Sequence, residues 1–469
     1  MTGALSLGLM TSAGNIWLLL AAASGLALLA AIAYRWSMFT MAAFLVLGPF
    51  SNILHMTYAG PLVEGMSIGA VRPIDALLVA MMGATLVRIV VLSLRQQDYR
   101  FQAGVRSFGA LLVAWFVLEI VRNIVGYGLS APGEFRYLYL VLVLPVYVAV
   151  FFVGAEERRR LLKAVVLTAT LITLCCVPVI GLMKGWGVGP TSRFLPSVIS
   201  LGLVLGWVAF YLAVRAGGLR VSPRVVWLLA LPVAALVLVD GHRSVWLVTL
   251  VTPITLLLVG EFKLGHVSGR IVPVGAAIGL LFTMVIAAGV NPVPYVAARS
   301  QAFIAPDRDR TANWREVQWE AQLEVWRQHR LLGQGFGGYW TAGKVYGGSG
   351  LAPHSLYVQT LAKIGVVGLT FLLGLVVSVA VLLTRAIVRF RRMGRRGELD
   401  YALVVMGVTA LVAALVYGIG YPLDYYALLF VGLGVAAAVH GRPQACGAVA
   451  RQSRSVSCES PGATTRCTG

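Results

Sequence analysis

Apolar stretches follow one another from residue 14 to residue 440. Each is about as long as the roughly 20 residues that an α-helix needs to cross some 30 Å of hydrocarbon. No soluble domain of ordinary size fits between them. Such a chain has to form helices, because in lipid each backbone N–H and C=O must find its partner within the spanning structure itself. Composition agrees: 59% of the 469 residues are hydrophobic and 12% are charged, about half the charge of an average soluble protein.

Spans are expected near 14–34, 37–56, 73–94, 106–126, 135–153, 161–182, 194–214, 223–239, 244–260, 271–290, 355–385, 399–419 and 423–440. The fold class is therefore an all-α polytopic membrane protein of about 12 transmembrane helices. Twelve or thirteen depends on the first two segments, which only Arg35-Trp36-Ser37 separate; one of them would be re-entrant. The first stretch lacks a basic n-region and a clear cleavage site, and reads as a mature span. The organisation that follows is an N-terminal transmembrane bundle (1–290), a long and partly helical outer loop (291–353), C-terminal transmembrane helices (354–440) and a polar tail (441–469) whose Ser, Gly, Arg and Thr content predicts disorder.

Basic loops set the orientation. "EERRR" at 156–160, Arg215 with Arg220 and Arg224, Lys263 with Arg270, and "RAIVRFRRMGRR" from Arg385 to Arg396 fall on one side when the spans alternate. That side is cytoplasmic. Much of the net charge of +20 then reports topology, and no nucleic acid partner is needed to explain it. Cys175 and Cys176 lie within a span, while Cys446, Cys458 and Cys467 lie in the tail; none has metal-ligand spacing with histidine. There is no internal repeat or inverted pair of broken helices of the kind that marks a transporter.

The outer face nonetheless carries Arg72, Arg122, Arg136, Arg193, Arg243, Arg299, Arg308, Arg310, Arg315, Arg327, Arg330 and Lys344. Any one of them could snorkel to lipid headgroups. As a set they favour arginine over lysine, and a planar five-donor fork suits phosphate oxygens. An anionic, phosphorylated ligand on the outer face is the sharper expectation.

Arg243 stands in "VLVDGHRSVWLVTL" between two apolar segments so close that residues 240–244 must turn tightly at membrane depth. Polar backbone persists there only when buried in protein or lining an aqueous cavity; the plainer alternative is an ion pair of Arg243 with Asp240. Within the outer loop, "NWREVQWEAQLEVWRQHR" predicts a helix over 313–330, with Asn313 as N-cap and Glu316 completing a capping box. Arg315, Trp319, Leu323 and Trp326 share one face of it. That face suits either the bilayer surface or a lipid-linked phosphate. The glycines of "LLGQGFGGYW" and "GKVYGGSG" imply close backbone approach or a mobile flap, without the pattern of a P-loop. Asp307 and Asp309 flank an arginine and read as solvated carboxylates. Neither metal nor cofactor is expected.

"PHSLYVQTLAKIGVVG" places His354 where the chain returns to helix. A helix N-terminus disfavours the imidazolium, which leaves a neutral ring able to accept a proton. The alternative is a structurally bonded histidine at a loop junction. His354-Ser355, nine residues, Gly365, two residues, Gly368 resembles the H-[NSQ]-x9-G-x2-[GTV] signature of the O-antigen ligase and polymerase family. "REVQWEAQLEVWRQHRLLGQGFGGY" is similar to that family's Arg, Trp four later, then a helix ending in an L-x-G-x-G turn. "HRSVWL" resembles its arginine after a hydrophobic span. The resemblance covers roughly residues 235–370, and Lys363 stands where relatives often carry an acid.

The resemblance implies a GT-C-like enzyme of the bacterial inner membrane, its active site facing the periplasm. It would move a glycan from undecaprenyl pyrophosphate to an acceptor, lipid A-core in the case of a ligase, without a metal and with inversion at the anomeric carbon. Its essential arginines carry over to Arg243 and Arg315, its histidine to His354, and an acidic position to Asp424. Arg136, Arg193, Arg310 and Trp319 are further candidates for contact with pyrophosphate or glycan. A polymerase or a protein O-oligosaccharyltransferase of the same family would share these motifs; a lipid-linked oligosaccharide flippase is the alternative from another class.

Overall fold

In the computed structural model of the protein, the described residues are 24–56, 73–94, 142–184, 197–222, 242–261, 310–336, 355–421 and 424–441, without residues 26, 218 and 220, together with isolated positions between 114 and 123 and between 226 and 237. Every regular element among them is helical. We label α1 (Ser37–Met56), α2 (Pro73–Leu94), α3 (Val143–Phe151), α4 (Ala155–Lys184), α5 (Ser197–Arg215), α6 (Arg243–Leu258), α7 (Arg310–Gln328), α8 (Leu356–Arg392), α9 (Leu399–Tyr417) and α10 (Tyr425–His440).

Among the described residues, Ile74–Leu92, Leu356–Arg392 and Leu399–Tyr417 are long and apolar enough to cross a membrane. Ala27–Arg35 and Ser37–Leu47 meet at 111°, and count as a fourth span if the bent pair is one. The bend falls on Trp36, at the break on which the count of twelve or thirteen depends. Ile199–Arg215, Arg243–Leu258 and Tyr425–His440 are shorter apolar helices. The fold is that of a helical membrane protein. The segments expected near 106–126, 223–239 and 271–290 lie wholly or mostly outside the described residues.

The centre of the bundle is α9, packed against α5, α6, α8 and α10, with α10 also laid along α3. Lipid tails are as apolar as leucine, so helices in a bilayer associate through close packing at small residues. Gly407 of α9 and Gly434 of α10 let two backbones touch: a Cβ on Gly434 would lie 2.7 Å from the Gly407 Cα. Gly432 meets α3 in the same way, with a Cβ there 2.8 Å from the Pro145 Cα, and Gly202 of α5 receives the ring of Tyr426.

One end of the bundle gathers arginines and uses them to join helix ends. Arg158, in the first turn of α4, is fully buried and holds both oxygens of Asp400, in the first turn of α9, at 2.8 Å. It also donates to the carbonyls of Phe152 and Val153 beyond α3. Glu261, after α6, pairs with Arg215 at 3.0 Å and accepts from the Tyr401 hydroxyl. Arg389 donates to the Ala438 carbonyl at 2.7 Å and Arg395 to that of Gly441 at 3.1 Å, where a helix C-terminus attracts cations. The runs expected at the cytoplasmic side, "EERRR" and the segment after Arg385, both lie at this end.

Candidate functional site

At the other end, α9 stops at Tyr417 and the chain turns through residues 418–421. The first N–H of α8, on Leu356, donates to the Gly418 carbonyl at 2.8 Å. Two residues on, Gly420 lies between α6 and α7: a Cβ there would come within 2.6 Å of the Ser244 Oγ and 3.6 Å of an Arg315 nitrogen. The start of α6, the second turn of α7 and the start of α8 therefore meet at one turn, and α10 begins just after it. A side chain at 420 would have to displace the Ser244 hydroxyl.

Arg315 lies with its guanidinium over the ring of Tyr421, 5.3 Å from the centroid, and its Nη2 is 3.4 Å from the Tyr421 hydroxyl. That hydroxyl is also 3.2 Å from Nδ1 of His242. His242 holds the N-cap position of α6 in extended backbone, but its side chain does not cap the helix. The Tyr421 ring stacks on Tyr417 at 5.0 Å and 15°, and the Tyr417 hydroxyl donates to the Ser197 Oγ at 2.7 Å. Arg243 follows His242 as the first residue of α6 and is half-buried.

Along α7, positions 315, 318, 319 and 322 share a face, as the helical period requires, and α7 packs on α8. Gln318 and Gln322 are buried there, as is Gln359 one turn into α8. Among the described residues, their side-chain oxygens, the Arg315 Nε and the Trp319 indole N–H have no hydrogen-bond partner. A buried polar atom left so costs about 1–3 kcal/mol, which favours a polar ligand or water against this face. Towards the exposed end of α7, the hydrogen bond from Arg327 holds the Glu324 carboxyl below its ordinary range.

The far end of α7 is locked to α8 by backbone. Gln334 and Gly335 donate to the carbonyls of Ala362 and Lys363 at 2.8 and 3.0 Å, while Val366 and Val367 donate to those of Arg330 and Leu331 at 3.0 and 3.2 Å. Those α8 groups are free to bond outward because the helix breaks at Gly365, whose φ of 67° belongs to the left-handed region that glycine enters without steric cost. Arg122 closes the joint, donating to Leu332 O at 3.0 Å and pairing with Glu119 at 2.8 Å.

The site residues expected from sequence divide accordingly. Arg315 and the start of α6 that bears Arg243 are brought to the same turn, with Trp319 one helical turn further along α7. His354, Arg136 and Arg193 lie outside the described residues, as does the side chain of Arg310; Ser355, which follows His354, is the N-cap of α8 and accepts from the Val358 N–H at 3.5 Å. Asp424 caps α10, its Oδ1 accepting from the Ala427 N–H at 2.9 Å, and is 1% exposed; among the described residues Oδ2 has no hydrogen-bond partner.

Two details are corrected. The loop helix begins at Arg310, so Asn313 lies inside it and is not its N-cap; no glycine or proline stands between them to stop the helix. Arg122, grouped by sequence with cations awaiting an anionic ligand, is instead bound to backbone carbonyls. The sequence alone assigns no role to Tyr421 or His242. A tyrosine beside a helix end carries no local signal, and His242 was legible only as part of a tight turn.

No curated protein matches the chain. Residues 225–373 match the family model described as O-antigen ligase. That stretch contains α6, α7, the joint at Gly365 and the start of α8, and over it the chain is similar to the O-antigen ligase family.

Proposed function

We propose that the protein transfers a glycan from undecaprenyl pyrophosphate to the lipid A-core oligosaccharide at the periplasmic face of the bacterial inner membrane. The observation that carries this reading is the meeting of α6, α7 and α8 at the 418–421 turn, which gathers the arginine-bearing helix starts opposite the arginine-rich end of the bundle. By the bias of basic loops toward the cytoplasm, the gathered end faces the periplasm.

In this reading Arg243 and Arg315 hold the pyrophosphate and neutralise the charge that grows on it as the bond to the anomeric carbon breaks. The acceptor hydroxyl oxygen attacks that carbon from the opposite side and inverts it. His354 takes the hydroxyl proton, and undecaprenyl pyrophosphate leaves. Arg136, Arg193, Arg310, Trp319 and Asp424 are assigned, from the sequence, to contact with the pyrophosphate or glycan. The isoprenoid tail lies along the apolar groove that starts beside Leu356 and Tyr357 and runs between α3, α8 and α10 past Leu372, Leu428 and Val435.

The test is transfer with purified protein, undecaprenyl pyrophosphate-linked glycan and lipid A-core, without nucleotide and with EDTA, comparing wild type with His354→Ala. Glycan on lipid A-core with wild type alone supports the reading. Lengthened donor with unmodified acceptor identifies a polymerase, and glycan on a protein serine or threonine an O-oligosaccharyltransferase. Labelled donor crossing proteoliposomes without any transfer would remove the enzyme reading.

A further inference from the structure

We infer that Tyr421 is a positioning residue of this site, which aims the Arg315 guanidinium; the inference rests on the reading of Arg315 as a pyrophosphate-holding group. Among the described residues, the Tyr421 hydroxyl is the one hydrogen-bond partner of Arg315, and the Arg315 Nε has none. An arginine side chain has several rotatable bonds. Where its planar fork must meet two phosphate oxygens at once, its direction matters as much as its charge.

Tyr421 supplies that direction twice. Its ring lies under the guanidinium at 5.3 Å and its hydroxyl bonds an Nη at 3.4 Å. The tyrosine is itself fixed from two sides, by the parallel ring of Tyr417 and by His242, whose Nδ1 shares the hydroxyl at 3.2 Å. With His242 neutral and protonated on Nε2, the hydroxyl donates to Nδ1 and its lone pair faces Arg315. His242 adjoins Arg243, so the same hydroxyl links the chain segments bearing both arginines. The ring packing alone would leave the guanidinium free to turn in its own plane; the hydroxyl bond fixes that rotation.

The experiment measures kcat and the donor KM for wild type, Tyr421→Phe, Arg315→Lys and the double variant in lipid nanodiscs, with undecaprenyl pyrophosphate-linked glycan and lipid A-core. Phenylalanine keeps both ring contacts and removes the hydroxyl alone. It should lower kcat by about thirtyfold with the KM changed less than about threefold, as expected when a group is misaimed at developing charge. Added to Arg315→Lys it should cost little more, because the group it aims is already gone. Should Tyr421→Phe unfold, His242→Ala serves in its place, with a smaller loss in the same direction that again vanishes in the Arg315→Lys background. A Tyr421→Phe enzyme within about twofold of wild type, or losses that multiply in the double variant, would overturn the inference. If wild type modifies no acceptor, the functional reading has failed separately. Titration of the same four proteins with undecaprenyl pyrophosphate then decides the role of Tyr421, non-additive losses of affinity supporting it and additive ones refuting it.

Discussion

A Cβ on Gly365 would occupy the place of the Leu331 carbonyl. The glycine and the turn that follows α7 are built so close that they bond as backbone to backbone. Gly365→Ala therefore both collides and forces a positive-φ backbone, ψ −171°, that is essentially confined to glycine and costs about 1–3 kcal/mol on its own. The variant should unfold at a lower temperature in detergent than wild type. Gly397→Ala, in open space, should not. Equal melting temperatures for the two would show that the joint at Gly365 does not hold α7.

Arg315→Ala and Arg243→Ala should each reduce transfer by about 10²–10³-fold, the usual effect of losing one charge-stabilising donor. Neither should change thermal stability much, since Arg315 makes a single hydrogen bond among the described residues and Arg243 is half-buried. Activity assays paired with melting curves separate the two effects. A parallel fall in both would assign the arginines to structure.

Arg158 and Asp400 behave oppositely. Their pair is buried, with side chains 2% and 11% exposed, so removing one partner leaves the other charge uncompensated at a cost of about 3–5 kcal/mol. Arg158→Met should destabilise strongly, while Arg158→Met with Asp400→Leu should recover much of the loss. A double variant no more stable than the single would mean that the arginine acts mainly through its bonds to the carbonyls of Phe152 and Val153.

Orientation is testable on two exposed side chains at opposite ends of the bundle, Ile419 and Met393. In a cysteine-free background, Ile419→Cys should react with an impermeant thiol reagent added outside intact spheroplasts, and Met393→Cys only after the membrane is opened. The reverse pattern would invert the proposed topology.

Much of the helical plan was legible because a membrane span announces itself by length. The expected 73–94, 194–214, 355–385, 399–419 and 423–440 correspond to α2, α5, α8, α9 and α10. Hydropathy ends the span at 385 because the last turns of α8 carry arginines; the helix continues to Arg392, where they bond to neighbouring helix ends. The start of α7 is hidden in the sequence because Asn313, a residue suited to capping, lies inside the helix. At the site, Arg315, Arg243 and Trp319 stood out as charges or aromatics on an apolar background. Tyr421 and His242 did not, since their roles depend on which helix ends meet.

The sequence alone determined that this chain lives in a membrane, which ends of its helices carry positive charge, and which polar residues stand where hydrocarbon would ordinarily exclude them. These are properties of transfer from water to lipid, which each segment obeys independently. Tertiary structure decided that Gly420 brings Ser244 and Arg315 together, that Arg122 belongs to a joint, and that Tyr421 joins Arg315 to His242. Contacts between residues more than a hundred positions apart depend on how small residues let the helices approach, and no segment carries that information by itself.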